Sequence, residues 1–251
     1  MNDARFECLL RLGDNALVLA QRLCAWIGHG PVMEEDMAQA NVALDLIGQA
    51  RLWLAYAGEL EGRGRDEDAL AYGRDAGAFR NVLLVEQPNG DYAQTIARQF
   101  LFDAWHHAEL SALTASSDAR IAAIAAKALK EVSYHLERSS DWMLRLGDGT
   151  AESHARLQAA LERLWMYSGE LFDADAHDAT LVEQGIVPAP QSLRAGWLQQ
   201  VGAVCTAATL TMPDADAWMQ HGGRQGRHSE HLGYLLAEMQ FLPRAYPGVQ
   251  W

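Results

Sequence analysis

Cysteine and basic residues are in short supply in this chain, and each shortage excludes something. Only three cysteines occur among 251 residues, at Cys8, Cys24 and Cys205, and none stands in a CxxC pair. An odd, scattered set argues against a disulfide scaffold and for a reducing, cytoplasmic location. Lys and Arg number 20 against 33 Asp and Glu, a formal net charge of -13. An acidic surface disfavours nucleic acid and anionic membrane, which carry the same sign. No run of 18 apolar residues appears, so no membrane span is expected. The N-terminal MNDARFECLLRLGDN, broken by Arg11 and Asp14, is a poor signal peptide. β-branched residues are sparse and strict alternation is missing, so a sheet layer is not indicated.

What is present is helical spacing. Phe6, Leu9, Leu10, Gly13, Leu17, Ala20, Cys24 and Ile27 recur at steps of three and four, predicting a helix over about 4–27 that Gly28, Gly30 and Pro31 stop. A second helix is predicted over about 34–60, its acidic start Glu34–Glu35–Asp36 suited to the positive end of the helix dipole. After a polar loop at 61–68, Phe79 to Val85 predict a short helix before Pro88. Further helices are predicted over about 91–114, 118–146, 152–184, 191–210 and 228–243, with Pro247 and Trp251 in an ordered or partner-bound tail. Two hairpins with short connections, joined by one long crossing at 61–90, describe a ferritin-like bundle. The expected fold is therefore all-α, a single domain over 1–251: core bundle about 4–146, extra helices about 152–243, tail 244–251.

Ferritin-like di-iron centres take one carboxylate from each of two helices and a Glu-x-x-His from each of the other two, because carboxylates neutralise hard cations and the i,i+3 spacing puts both ligands on one face. The helices here carry a partial set. Asp14 lies in phase with Leu10 and Leu17. Asn41 and Asp45 share the second helix, but Gly48 stands where a ligand histidine belongs. Asp103 and His106 are in phase on the third. On the fourth, Glu131 is followed at i+3 by Tyr134, with His135 one residue further and Lys127 one turn earlier. The pattern predicts a metal-free polar network of Asp14, Asp45, Asp103, His106, Lys127, Glu131, Tyr134 and His135, in which lysine, tyrosine and histidine compensate buried carboxylates. The alternative is an independent di-iron carboxylate enzyme with an atypical ligand set. A third possibility is a free-standing helical binding module or store.

Other fragments are weaker. His106–His107 with Glu109 lacks matching ligands elsewhere; His228 and His231 flanking Glu230 suggest capping or packing. GGRQG at 222–226 follows no strand, so a nucleotide phosphate loop is unsupported. Cys24 sits on an apolar stripe and reads as core. Of eight tryptophans most should be core, with terminal Trp251 a possible interface anchor.

Six stretches carry a resemblance across nearly the whole chain: LRLGDNALVLAQRL at 10–23, ALDLIGQARLWLAYAGEL at 43–60, LLVEQPNGDYAQTIARQFLFDAWH at 83–106, KALKEVSYHLERSSDWMLRLGDGT at 127–150, LWMYSGELFD at 164–173 and GRQGRHSEHLGYLLAEMQFLPRAYPGVQW at 223–251. The chain resembles the non-catalytic, ferritin-like C subunits of the bacterial ring-1,2-phenylacetyl-CoA epoxidases, multicomponent oxygenases of phenylacetate degradation. The resemblance implies no catalytic, cofactor-binding or metal-binding residue in this chain, in keeping with Gly48 and Tyr134. It implies a hetero-oligomer with three further components: the catalytic di-iron protein (A), a small organising protein (B) and a reductase (E). The reductase would pass electrons from NADPH through FAD and an iron–sulfur cluster.

Overall fold

The computed structural model describes residues 2–249, and among these there is no strand. Eleven α-helices follow one another: α1 (Asn2–Cys24), α2 (Met33–Glu61), α3 (Glu67–Tyr72), α4 (Leu83–Glu86), α5 (Tyr92–Leu113), α6 (Ala119–Gly147), α7 (Ala151–Trp165), α8 (Ala176–Glu183), α9 (Arg194–Ala207), α10 (Glu230–Met239) and α11 (Phe241–Ala245). The fold is an all-α bundle consistent with ferritin-like architecture plus extra C-terminal helices. The chain divides into two compact units, Met1–Pro88 with Gly222–Trp251, and Asn89–His221.

The first unit is built on the α1–α2 hairpin. Asp36 makes the connecting turn, its Oδ1 accepting from the backbone N–H of Gly28 at 2.8 Å and of Gly30 at 3.1 Å. Gly13 lets the helices close: a Cβ there would stand 2.7 Å from Leu54 Cδ2. Leu9, Val18, Leu19, Leu46, Trp53 and Leu54 fill the seam, each contributing on the order of 2 kcal/mol of burial. Gly62, left-handed at φ 68°, ends α2 by returning its N–H to Gly58 O. The C-terminal α10 packs on α1 and on the turn at Ala76–Ala78. There the glycine-rich 222–226 stretch serves close approach rather than phosphate binding: at Gly226, φ 76°, a Cβ would lie 2.2 Å from Gly77 O.

The second unit is built on α5 and α6, flanked by α7 and α9. Polar caps start the helices: Asp91 accepts from Gln94 N, Asp118 from Arg120 N and Ile121 N, and Thr150 forms a capping box with Ser153. Arg98 to His106 are buried without interruption, so α5 is the central rod of this unit.

The predicted long helix over 152–184 is three pieces. α7 ends at Trp165, a 3-10 turn occupies Gly169–Phe172, and α8 begins after Asp175. Leu171 and Phe172 keep helical spacing, but Asp175 captures the N–H groups of His177 and Asp178 and starts a new helix. The last predicted helix also divides at Gln240, with Pro243 falling in the first turn of α11, where it lacks no needed N–H. All three cysteines are free thiols; Cys24 is only partly buried, not full core. Trp53, Trp105, Trp165 and Trp197 are core, whereas Trp218 is exposed. Trp251 lies outside the described residues.

Candidate functional site

In the first unit, Asp14 is fully buried at the middle of α1. Its partner is Arg74, from the stretch after α3. Both terminal guanidinium nitrogens reach it, Nη1 donating to Oδ2 at 2.9 Å and Nη2 to Oδ1. The backbone N–H of Arg80 adds a third bond to Oδ2, 2.8 Å. Arg74 is itself held: Nε donates to Leu70 O and Nη1 to Ala78 O, and the guanidinium lies 4.3 Å above the Phe79 ring. A bidentate guanidinium is the strongest geometry for a buried carboxylate.

On α2 the buried stripe runs through Gln39, Val42, Ala43, Leu46, Gln49, Ala50 and Trp53. Asp45 is half-buried beside it, and Asn41 and Gly48 are exposed. Each lies one residue, about 100°, off the stripe. The polar set predicted to face inward therefore stands on the helix flank, and space is open where a Gly48 side chain would project.

In the second unit, Asp103 is fully buried on α5. Gln99 Nε2 donates to its Oδ1 at 2.7 Å and Ser139 Oγ to its Oδ2 at 2.9 Å. Burial pushes the carboxyl up to about 7, against the hydrogen bonds from Ser139 and Gln99 and the Arg138 charge, which pull it down. His106, one turn on, is held down to about 3 by burial first and then by His135 and His107. It is a neutral imidazole packed on Phe102 at 5.0 Å, and its Nδ1 has no hydrogen-bond partner. His135 is buried on α6 and Glu131 half-buried.

Lys127 and Tyr134 do not join these groups. Lys127 is exposed and Tyr134 is 51% exposed. The buried stripe of α6 runs Ile121, Ile124, Ala128, Val132, His135, Ser139 and Met143, and residues 127 and 134 precede it by one step. Asp103 thus takes Gln99 and Ser139, not Lys127 or His106, as partners.

These residues do not fit a di-iron centre. Arg74 occupies the bidentate face of Asp14, and its charge repels a second cation. Asp103 already accepts on both oxygens, from Gln99 Nε2 and Ser139 Oγ. Among the described residues no group of three or more His, Cys, Asp or Glu is placed to hold a metal ion.

Another buried carboxylate escaped the sequence reading. Glu86, fully buried in α4, accepts from Asn81 Nδ2 at 3.1 Å, from Ser229 N at 2.6 Å, and pairs with His228 Nδ1 at 2.9 Å. His228 Nε2 faces Phe79 O at 3.1 Å. Arg22 on α1 donates to both Glu86 O and His231 O. Burial lowers the affinity of this guanidinium for its proton, while Glu86 and Glu238 raise it. His228 is therefore a packing group, and the only sign in the sequence was a lone acid inside LLVEQP.

A hairpin-built helical chain with its interior carboxylates held by arginine, glutamine and serine is the setting for the comparison with known proteins. The chain matches the family described as Phenylacetic acid catabolic protein over residues 1–251, and it belongs to that family. It is 54% identical over 242 residues, 96% of this chain and 97% of the other, to the C subunit of 1,2-phenylacetyl-CoA epoxidase from Escherichia coli (strain K12).

Proposed function

We propose that this chain is the non-catalytic, structural subunit of a phenylacetyl-CoA epoxidase, folding beside the catalytic subunit and stabilising it. The observation that carries the reading is Asp14. A carboxylate at a ligand position, bound bidentate by Arg74, keeps the buried charge of a di-iron fold balanced with no ion. Asp103, satisfied by Gln99 and Ser139, supports it from the second unit. The 54% identity over nearly the full length of a C subunit supplies the partner class. In this reading the iron belongs to the catalytic partner. The small B component and an NADPH-dependent reductase with FAD and an iron–sulfur cluster complete a cytoplasmic hetero-oligomer. The chain then acts as one ferritin-like domain over 1–251.

The test is co-expression with the catalytic subunit, followed by size-exclusion chromatography with light scattering and metal analysis of each chain. Expected is a stable hetero-oligomer with iron on the partner alone and a raised melting temperature for at least one chain, since binding to the native state favours folding. Separate elution with unshifted melting temperatures refutes the pairing. About two irons on this chain would instead make it an independent enzyme.

A further inference from the structure

The second unit carries a cavity that does not involve Asp103. It measures about 260 Å³ and lies between the end of α7, the 3-10 turn at Gly169–Phe172, the start of α9 and the stretch leading to His221. Its inner wall is aromatic. Trp165 and Trp197 stack with centroids 5.4 Å apart, and Phe172 meets Trp197 edge-on at 5.3 Å. All three are buried. Both indoles are fixed by their N–H groups, Trp165 donating to Asp214 O at 2.8 Å and Trp197 to Leu101 O at 3.1 Å. The wall therefore offers apolar faces and no donor.

The outer wall is the non-helical segment after α9, pinned at several points. Arg194 Nη2 donates to Ala215 O at 2.7 Å, Gln220 N to Met166 O at 2.8 Å, and His221 Nδ1 pairs with Asp173 Oδ2 at 2.5 Å. Met219 closes over Gly169, where a Cβ would stand 2.6 Å from Met219 Cγ. Three polar groups line the cavity with capacity left over. Among the described residues the Gln191 side chain makes no hydrogen bond, the other N–H groups of Arg194 make none beyond Ala215 O, and His221 Nε2 makes none. Asp216 stands 3.7 Å from Arg194, but its side chain is 92% exposed and water screens it. Asp173 is engaged by His221.

From this geometry the structure assigns to the second unit a binding site for a small planar aromatic acid. The ring packs between the Trp165–Trp197–Phe172 wall and Met219, and the carboxylate meets Arg194. The size sets the class: about 260 Å³ is just under the roughly 300–1,000 Å³ of sites for drug-sized ligands. One ring with a short acidic arm fits; a CoA ester or a nucleotide does not.

The test titrates the full-length chain with phenylacetate, reading heat by calorimetry and the tryptophan indole N–H signals by NMR. Cyclohexylacetate, with the same charge and no flat ring, and phenylacetamide, with the ring and no charge, are the controls. Expected is saturable binding with Kd on the order of 1 mM, the range open to a ligand of about ten heavy atoms, with shifts at Trp165 and Trp197. Loss of the charge-assisted bond should weaken binding about tenfold, in phenylacetamide and in Arg194→Gln alike. Cyclohexylacetate should also bind more weakly. Arg194→Lys, which keeps the charge, should recover part of the affinity and serves if Arg194→Gln misfolds. No saturation by about 20 mM, twenty times the expected Kd, would overturn the assignment. So would shifts confined to other tryptophans, or equal affinity for phenylacetamide.

Discussion

Replacing Asp14 by asparagine keeps the shape of the side chain and removes the charge that the buried guanidinium of Arg74 faces. Arg74 would keep Leu70 O and Ala78 O as acceptors, but neither is anionic, and its side chain is 4% exposed, out of reach of water. Breaking a buried pair from one side costs about 3–5 kcal/mol, because the remaining charge is uncompensated. For a chain of this size, each kcal/mol moves the melting temperature by about 2–4 °C, so Asp14→Asn should lower it by about 6–20 °C. The neutralising double variant Asp14→Asn, Arg74→Gln should be less damaged than the sum of its single changes, since neither leaves a buried charge alone. Urea unfolding followed by circular dichroism and by tryptophan fluorescence checks both claims, and metal added or removed should change neither. If Asp14→Asn loses under about 1 kcal/mol, or the two substitutions simply add, the pair does not carry the interior charge balance.

The remaining expectations concern the other buried acids. Asp103 has its carboxyl raised to about 7 in the fold against 3.8 ordinarily, so the native state favours the protonated form. Its contribution to stability is complete below about pH 4 and is lost as pH rises through 7, at no more than about 1.4 kcal/mol per pH unit. Asp103→Asn should flatten that part of the stability profile, between about pH 4 and 7, in urea titrations; an unchanged slope would refute the assignment. For the Glu86–His228 contact, His228→Ala removes one of the partners of a fully buried carboxylate and should cost about 2–4 kcal/mol. Limited proteolysis should then cut the C-terminal segment after Gly222 sooner than in the parent chain, and equal protection would count against the contact as a tie.

Where the sequence carried a local signal, it could be read. Gly62, Asp91, Asp118 and Thr150 act within four residues of themselves, and the helix ends they set fell within a few residues of expectation. The facing of α2 was harder. Met33, Met37 and Leu44 are exposed apolar residues on a helix whose apolar positions surround it, so no single stripe marks the inside. Choosing Asn41, Asp45 and Gly48 over Val42, Leu46 and Gln49 is an error of one residue, yet one residue is a 100° turn. On α6 the stripe is sharp, and His135 rather than Tyr134 continues it. Arg74 and Glu86 were invisible for another reason. They lie in the long crossing, with no periodicity to orient them, and their partners Asp14 and His228 are 60 and 142 positions away.

The placement of the compensating groups has its own consequence. A metal ion balances several carboxylates at one point, and a fold relying on it is only as stable as the metal is bound. Here the balance is distributed. Arg74 and the Arg80 N–H serve Asp14, Gln99 and Ser139 serve Asp103, and Asn81, His228 and Ser229 serve Glu86. Each acid is answered within its own unit, by groups fixed to the chain. A guanidinium balances a carboxylate's charge and an amide or hydroxyl satisfies its lone pairs, but none of these takes an electron or binds oxygen. These interior acids are thus stabilised by groups fixed to the chain itself.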